Sequence, residues 1–387
     1  MRLRKPSPVS PPRRIAVVAL LVLGTLFLVV FGLGLWANRQ VLDTDNWVET
    51  SDDLLENEAI RDALGTYLVD RLYQSEDVQA RLEETLPPPL DRLAGPAAAG
   101  LKEVANRNAP RLLGSQPALA AWEAANRAAH KALLAVVEGD AGNRDVTLDL
   151  KDLLRQVAEG TGLPPDVVDK LPPDLAKLQI AKPDQLEGAQ DALDLFKTLV
   201  WILLVLVLVS FAGAVFLSPD RRRAIMNVGG CVILAGIAVF AVRQLAGKTV
   251  VDALSDSPNA GAAADDAWSI STALLVDVAE GALLAGAFIV SGAWLIGPGR
   301  RAVQARRLAA PTLRQYPGGV RAGLAVAILL LVIWGPVPWT QRIIPIVVFT
   351  VAAFLWLERI RVRAIEEFPD TSAPAGGPAL GHNGPTT

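Results

Sequence analysis

Six long apolar runs divide the chain. They cover residues 15–37, 198–218, 224–242, 269–297, 322–337 and 343–357. Because about 20 apolar residues form a helix that crosses the hydrocarbon core of a bilayer, this pattern predicts six transmembrane helices, spans one to six. Spans five and six hold only 16 and 15 residues, and Gly335, Pro336 and Pro338 lie around their junction. We therefore interpret these two spans as a tight helical hairpin. Span one is too long for the core of a cleaved signal peptide, so we interpret it as an uncleaved anchor.

The segment between spans one and two, residues 38–197, has the apolar spacing of a packed helical domain. One stripe contains Ile60, Leu64, Leu68 and Leu72, and a second contains Leu119, Trp122, Ala129 and Leu133 with Asn126 among them. Apolar residues at this spacing are typical of helices that face a core. The predicted fold class is thus mainly α, a polytopic helical membrane protein with a helical extracytoplasmic domain inserted between its first two spans.

Two short segments of this domain have β character. Val146 to Leu150 alternates apolar and polar residues, and Leu178 to Ile180 is the only other candidate strand. We expect them to pair and to lean on the neighbouring helices, because two strands alone are barely stable.

Two helices are predicted to continue beyond the membrane. No proline interrupts residues 185–217, which would form one helix of about 50 Å that ties the domain to span two. Residues 243–268 are predicted to form an outer helical hairpin between spans three and four. Its apolar positions, Val250, Val251, Leu254 and Trp268, should be buried against the outer domain.

Composition and charge agree with a membrane protein of defined orientation. Hydrophobic residues make up 51% of the chain and charged residues 20%. Residues 1–14, the loop after span two, residues 300–321 and the tail 358–387 together carry 17 basic and 5 acidic residues, whereas 38–197 carries 17 basic and 29 acidic. Basic residues near span ends stay cytoplasmic, so we predict a multi-pass plasma-membrane protein with both termini inside. The tail is expected to be disordered from about residue 369.

The chain offers little catalytic chemistry. A single Cys, Cys231, excludes internal disulfides and cysteine metal clusters, and no nucleotide-binding or hydrolase motif is present. Ser291 would need a histidine partner inside the membrane, but His130 is predicted on the outer domain and His382 in the tail. We expect His130 to be a half-exposed helix residue. No cofactor, no metal and no catalytic residue is predicted.

Asp277 and Glu280 are the most informative polar residues, because ionisable groups within spans are costly. Their separation of three places both carboxylates on one helix face, where they could carry protons or cations. Alternatively, both lie at the water interface, since Glu280 is 17 residues from Gly297, or about 25 Å. There they would pair with Arg243 or Lys248 at the outer end of span three.

The lipid bilayer is the first predicted partner. The basic loop at 300–321 is expected to lie against anionic headgroups, and it lacks the aromatic interleaving that would indicate nucleic-acid binding. A second envelope protein, or a second copy of this chain, is the other predicted partner.

Five short segments carry a resemblance to known proteins. They are Val41 to Trp47, Tyr67 to Asp70, Leu86 to Pro88, Trp122 to Asn126 and Trp268 to Ile270. In these segments and in the order of its parts, the chain resembles a group of uncharacterised integral membrane proteins of actinobacteria. The resemblance implies an N-terminal anchor, a helical outer domain and five further spans, and it implies no activity.

Three functions remain open on the sequence. The first is a non-enzymatic envelope protein whose outer domain binds a partner or organises the cell surface. The second is a transporter or exporter subunit that uses the span-four carboxylates, since the layout is also that of half a resistance-nodulation-division exporter. The third is an envelope enzyme.

Overall fold

The computed structural model describes residues 11–75, 78–85, 87, 93–138, 147–149, 177–179, 183–254, 258–334 and 343–368. Within these ranges the chain forms helices and two short strands. They are α1 (Pro11–Leu42), α2 (Thr44–Glu56), α3 (Glu58–Ser75), α4 (Val78–Thr85), α5 (Ala94–Leu113), α6 (Gln116–Val137), β1 (Thr147–Asp149), β2 (Lys177–Gln179), α7 (Pro183–Leu217), α8 (Arg221–Leu254), α9 (Pro258–Ser271), α10 (Ala273–Leu295), α11 (Arg300–Gln315), α12 (Pro317–Trp334) and α13 (Ile343–Glu367). The mainly α fold class is confirmed.

Among the described residues, four helices, α1, α7, α8 and α10, are long and apolar enough to cross a membrane. They correspond to predicted spans one to four, and they are consistent with a multi-pass membrane protein. Large apolar side chains remain exposed along them, such as Trp201 and Phe216 of α7, which are 70% and 71% exposed. In α12 the described apolar stretch is the shorter Pro317–Leu330, so spans five and six remain a prediction.

The four helices pack side by side, with α1 against α7 on one side and against α8 and α10 on the other. Close approach is possible where glycine meets a large side chain or another backbone. A Cβ added at Gly24 of α1 would meet the ring of Phe211 of α7, and one added at Gly229 of α8 would lie 3.0 Å from the carbonyl oxygen of Gly286 of α10. Helices α8 and α10 therefore approach each other closely through small residues.

The segment between α1 and α7, which we call the acidic domain, is built from two packed helix pairs. Helix α3 lies against α5, and α2 lies against α6. The first turns of α7 extend to α6, where Gln190 donates to the carbonyl oxygen of Val136 (2.9 Å) and Lys197 pairs with Glu138 (2.7 Å). As predicted, one unbroken helix ties this domain to the second candidate span.

The predicted strand pair is present as an antiparallel ladder of three residues on each side. Thr147 lies opposite Gln179, and Asp149 lies opposite Lys177. The outer residues of the two predicted segments, Val146, Leu150 and Ile180, lie outside the described residues.

Two predictions about the outer hairpin are wrong. The fourth candidate span does not continue unbroken past the membrane, because the chain breaks at Thr272 between α9 and α10. Val250 and Leu254 of α8 are 37% and 59% exposed, whereas Val251 and Trp268 are half-buried. The acidic domain covers α9 instead, which packs against α2 and α3.

Three further expectations differ from the structure. The stripe on α6 is rotated by about one residue, because Ala129 and Leu133 are exposed and His130 is buried. Leu68 and Leu72 of α3 are also exposed. The basic segment after α10 is a helix, α11, rather than a loop.

Some predictions fall outside the described residues. These are the basic segment before residue 11, the hairpin junction at 335–342 and the tail from residue 369.

Candidate functional site

The predicted carboxylate pair lies on α10 where this helix packs against α1, a place we call the carboxylate junction. Asp277 and Glu280 occupy the first turns of α10, and both are half-buried. Neither side chain makes a hydrogen bond or an ion pair with another described residue. Arg39 at the end of α1 and Glu49 of α2 are charged groups from other helices that act on Asp277.

Arg243 does not pair with either carboxylate, contrary to the sequence-based prediction. Its Nε atom donates to the hydroxyl oxygen of Thr272 (2.8 Å), and that hydroxyl donates to the carbonyl oxygen of Trp268 (2.6 Å). Thr272 is 1% exposed. Arg243 is thus occupied at the break between α9 and α10, and Arg39 takes the place near Asp277 that we had assigned to Arg243.

Two buried polar atoms beside the junction have no hydrogen-bond partner among the described residues. They are Nε1 of Trp36 and Oε1 of Gln40, one turn apart on α1. The amide nitrogen of Gln40 donates to Thr50 (2.9 Å), and Trp36 packs against a cluster of Val239, Leu275 and Ala279. Buried polar atoms usually have hydrogen-bond partners. At the junction, unpartnered polar atoms therefore interrupt otherwise apolar packing.

The junction has limited chemistry of its own. No group of three or more His, Cys, Asp or Glu residues in the described ranges could hold a metal ion. Two half-buried carboxylates can exchange protons with water or bind a monovalent cation weakly. Their place in the first turns of α10 agrees with the interfacial alternative, in which both lie near the membrane surface.

His130 lies in a second cluster, which joins α1 and α2 to α6. Its ring is 3% exposed and stacks on Trp47, with ring centroids 5.0 Å apart. Nδ1 is 3.1 Å from the hydroxyl of Thr44, and Nε2 is 3.0 Å from the carbonyl oxygen of Val41. Both ring nitrogens are therefore engaged, and His130 is a buried joint rather than the half-exposed residue we predicted.

Local hydrogen bonds stabilise the segment Val41 to Trp47, which forms part of this joint. The Asp43 side chain caps α2 by accepting from the backbone of Asp45 and Asn46 (3.1 and 3.0 Å), which satisfies free N–H groups at the helix start. Trp122 of α6 donates from its ring nitrogen to the carbonyl oxygen of Ser51 (2.9 Å). Helices α2 and α6, each of which contains residues of a segment that prompted the family resemblance, thus pack together.

Asp52 lies in α2 on the side of this joint. Burial, followed by the negative charges of Glu123 and Glu56, raises the pKa of its carboxyl above the usual 3.8, although Arg127 acts in the opposite direction. Arg127 itself pairs with Asp45 (2.6 Å) and Glu123 (3.4 Å). The fold therefore disfavours the charged form of the Asp52 carboxyl in this joint.

One side of α3 is apolar and open. Tyr67, Leu68 and Leu72 are 62%, 46% and 55% exposed, and positions 68 and 72 are one helical turn apart. We call this surface the α3 face. Large apolar groups that cluster on a surface mark sites of contact with other molecules.

Arginines surround the opposite end of the bundle, which we call the arginine end. Arg13 donates to the carbonyl oxygen of Leu217, and Arg222 donates to that of Ala293 (3.3 Å). Arg306, 1% exposed, donates to the carbonyl oxygens of Leu295 and Gly297 and forms a two-point pair with Glu367 (2.9 Å each). The C-terminal end of α10 is thus capped by cations, which its dipole favours.

The remaining sequence candidates take no part in a site. Cys231 is half-buried within α8, and Ser291 is exposed on α10. His382 lies outside the described residues.

Comparison with protein-family models, with curated proteins and with solved structures finds no match to this chain. The resemblance to actinobacterial membrane proteins therefore stays a prediction.

Sequence reasoning missed the Trp47–His130 stack and the Arg306–Glu367 pair. The first could have been suspected because Thr44 and Trp47 begin a capped helix directly after an apolar run. No sequence signal pairs Arg306 with Glu367, since 61 residues separate them.

Proposed function

We propose that this protein is a non-enzymatic membrane protein of the cell envelope, whose acidic domain binds a partner through the α3 face. One observation carries the proposal: Tyr67 and Leu68 expose apolar side chains on a domain that its own contacts hold in place. Contact with another protein would remove this apolar surface from water, which is energetically favourable. The partner is a second envelope protein or a second copy of this chain.

The proposed orientation places the acidic domain outside the cell and both termini inside. It is supported by the basic excess of the segments predicted inside and by the gathering of Arg13, Arg222, Arg306 and Arg363 at one end of the bundle. Six spans, with α12 and α13 as the last two, complete this topology. Phe349 and Trp356 of α13 lie beside Phe288 and Gly292 of α10, which supports a membrane position for α13.

Photo-crosslinking in native membranes tests the partner-binding proposal. A photoreactive amino acid replaces Tyr67, and a matched variant carries it at Arg107, an exposed residue of α5. We expect a discrete adduct from position 67 only, and its loss when Leu68→Glu is added. Equal adducts from both positions, or an adduct that Leu68→Glu leaves unchanged, would contradict the proposal. Mass spectrometry of the adduct distinguishes a second copy from another protein.

A transporter subunit is the alternative, and the carboxylate junction favours it because Asp277 and Glu280 are half-buried without a side-chain partner in the described part of the chain. Flux across energised membrane vesicles separates the two functions. A flux that Asp277→Asn and Glu280→Gln abolish, and that Asp265→Asn on the exposed side of α9 leaves intact, would support transport. We expect no flux that depends on the two carboxylates.

A further inference from the structure

Helix α11 has two chemically different sides. Its buried side contains Ala302, Arg306, Ala310 and Leu313, and the last two pack against Ala364 of α13. Its exposed side contains Arg300, Arg301 and Arg307 together with Leu308, which is 82% exposed. No acidic residue occurs between Arg300 and Gln315. The exposed side is thus a basic surface with one prominent apolar residue at its centre, which we call the α11 face.

The position of α11 follows from its contacts. Arg306 binds the carbonyl oxygens of Leu295 and Gly297, so α11 lies against the last turn of α10. The 23 residues of α10 span about 35 Å, close to the thickness of a hydrocarbon core of about 30 Å. When α10 crosses a bilayer, α11 is therefore held at headgroup depth.

The arginines of the α11 face differ from the others nearby. Arg306, Arg321 and Arg361 each pair with a carboxylate of α13. Arg300, Arg301 and Arg307 make no hydrogen bond or ion pair with any described residue. The acids Glu358 and Glu367 are already engaged by the paired arginines. No carboxylate in the described part of the chain pairs with these three arginines, so the face presents positive charge to its surroundings.

We infer that the α11 face binds acidic phospholipids, with Arg300, Arg301 and Arg307 at the phosphate groups and Leu308 in the upper acyl region. Interfacial helices with basic residues beside an exposed apolar residue bind anionic bilayers in this manner. This inference rests on the membrane placement of the proposed function, and it goes beyond it by naming a lipid class and its binding residues.

Lipid retention by the full-length protein tests this inference. The protein is purified from mixed micelles with equal amounts of phosphatidylglycerol and phosphatidylcholine, and retained lipids are counted by native mass spectrometry. We expect the wild type to retain phosphatidylglycerol in preference. The triple variant Arg300→Gln, Arg301→Gln, Arg307→Gln should lower that preference about tenfold, since each basic residue near an anionic surface adds to the binding free energy. The three side chains are exposed, so folding is expected to be unaffected, and gel filtration checks this.

A charge-matched control removes Arg71, Arg107 and Arg111, three exposed arginines of the acidic domain. It should keep the lipid preference of the wild type. An equal loss in both triple variants would overturn the inference, as would an equal retention of both lipids by the wild type.

A second measurement does not depend on lipid counting. A spin label at Leu308→Cys, in a Cys231→Ala background, should be shielded from an aqueous relaxation agent in phosphatidylglycerol vesicles. The label should be accessible when the three arginines are replaced. A label that is equally accessible in both proteins would show that the face points to water, and the inference would be wrong. The inference would also be wrong if labelled RNA, and not the lipid, protected the spin label from the relaxation agent.

Discussion

The two ring nitrogens of His130 have different partners. The carbonyl oxygen of Val41 can only accept, so Nε2 donates to it, while Nδ1 lies at hydrogen-bond distance from the hydroxyl of Thr44, which can donate or accept. The stacked and buried imidazole stabilises the contact between α6 and the end of α1.

Replacement of His130 by alanine should therefore loosen the acidic domain. The change removes two hydrogen bonds and the stack on Trp47, and we expect a loss of roughly 2–4 kcal/mol in the free energy of unfolding. Thermal unfolding followed by tryptophan fluorescence in detergent measures it. Lys131→Ala, at the exposed neighbour, is the control and should unfold like the wild type. Identical melting of the two variants would contradict the role of His130 as a joint.

Asp52 gives a prediction about pH. Because burial and then Glu123 and Glu56 raise the pKa of this carboxyl, the folded state binds its proton more tightly than the unfolded state does. The contribution of Asp52 to stability is therefore full below its unfolded pKa and is lost as the pH rises through the folded pKa. Asp52→Asn should stabilise the domain at neutral pH by roughly 0.5 kcal/mol after allowance for solvent screening.

Melting curves between pH 3 and pH 8 test this prediction, with Asp53→Asn at the exposed neighbour as the control. The gain from Asp52→Asn should shrink towards acid pH. A gain that is constant with pH would mean that the carboxyl titrates alike in the folded and unfolded chain.

At the scale of elements, the contact between α8 and α10 depends on which glycine faces the partner helix. A Cβ at Gly229 would lie 2.8 Å from Val290 and 3.0 Å from the carbonyl oxygen of Gly286, whereas a Cβ at Gly230 meets nothing within 4 Å. Gly229→Val should thus cost roughly 1–3 kcal/mol through overpacking. Gly230→Val, one residue away in the same helix, should change stability little. Resistance to denaturation in detergent measures both, and equal effects would place the interface elsewhere.

Helix lengths were the most predictable part of the fold. A run free of proline gave α7 close to its observed ends, because a membrane helix needs only continuity and hydrophobicity. The break at Thr272 was not predictable, since it depends on a hydroxyl that accepts from Arg243, 29 residues earlier in the chain. The spacing of apolar residues shows that one side of a helix is buried. A rotation of the helix by one residue determines whether His130 or Ala129 lies on that side.

The candidate site was predictable only as a set of residues. The spacing of Asp277 and Glu280 correctly placed both on one side of α10, near its start. Their neighbours were not predictable in the same way, because charge complementarity favours any nearby arginine. Packing assigns Arg39 to this place through the contact of α1 with α10, and it commits Arg243 to Thr272.

At the scale of the whole molecule, charge is separated along the long axis of the bundle. The acidic domain lies at one end, and the arginines that bind Leu217, Ala293, Leu295 and Ile296 lie at the other. This separation gives a direct prediction of orientation, because basic residues at span ends are retained on the cytoplasmic side.

Thiol labelling in intact cells checks the orientation. In a Cys231→Ala background, Ser115→Cys in the acidic domain should react with an impermeant reagent before lysis. Gln304→Cys on α11 should react only after lysis. The reverse order would invert the topology, and reaction of both before lysis would show that the helices between them do not separate two compartments.

The capped end of α10 also constrains the order in which the protein can be completed. Arg222 is synthesised before α10, but Arg306 follows Leu295 by 11 residues and Arg363 follows Ile296 by 67. A nascent chain that ends just after α10 therefore lacks two of the arginines that cap the C-terminal end of this helix. The capping is complete only when the last helix has been synthesised and Glu367 pairs with Arg306. Products that stop short of α13 leave Arg306 uncompensated, so the C-terminal helix gives full-length chains a physical distinction from truncated ones during biogenesis.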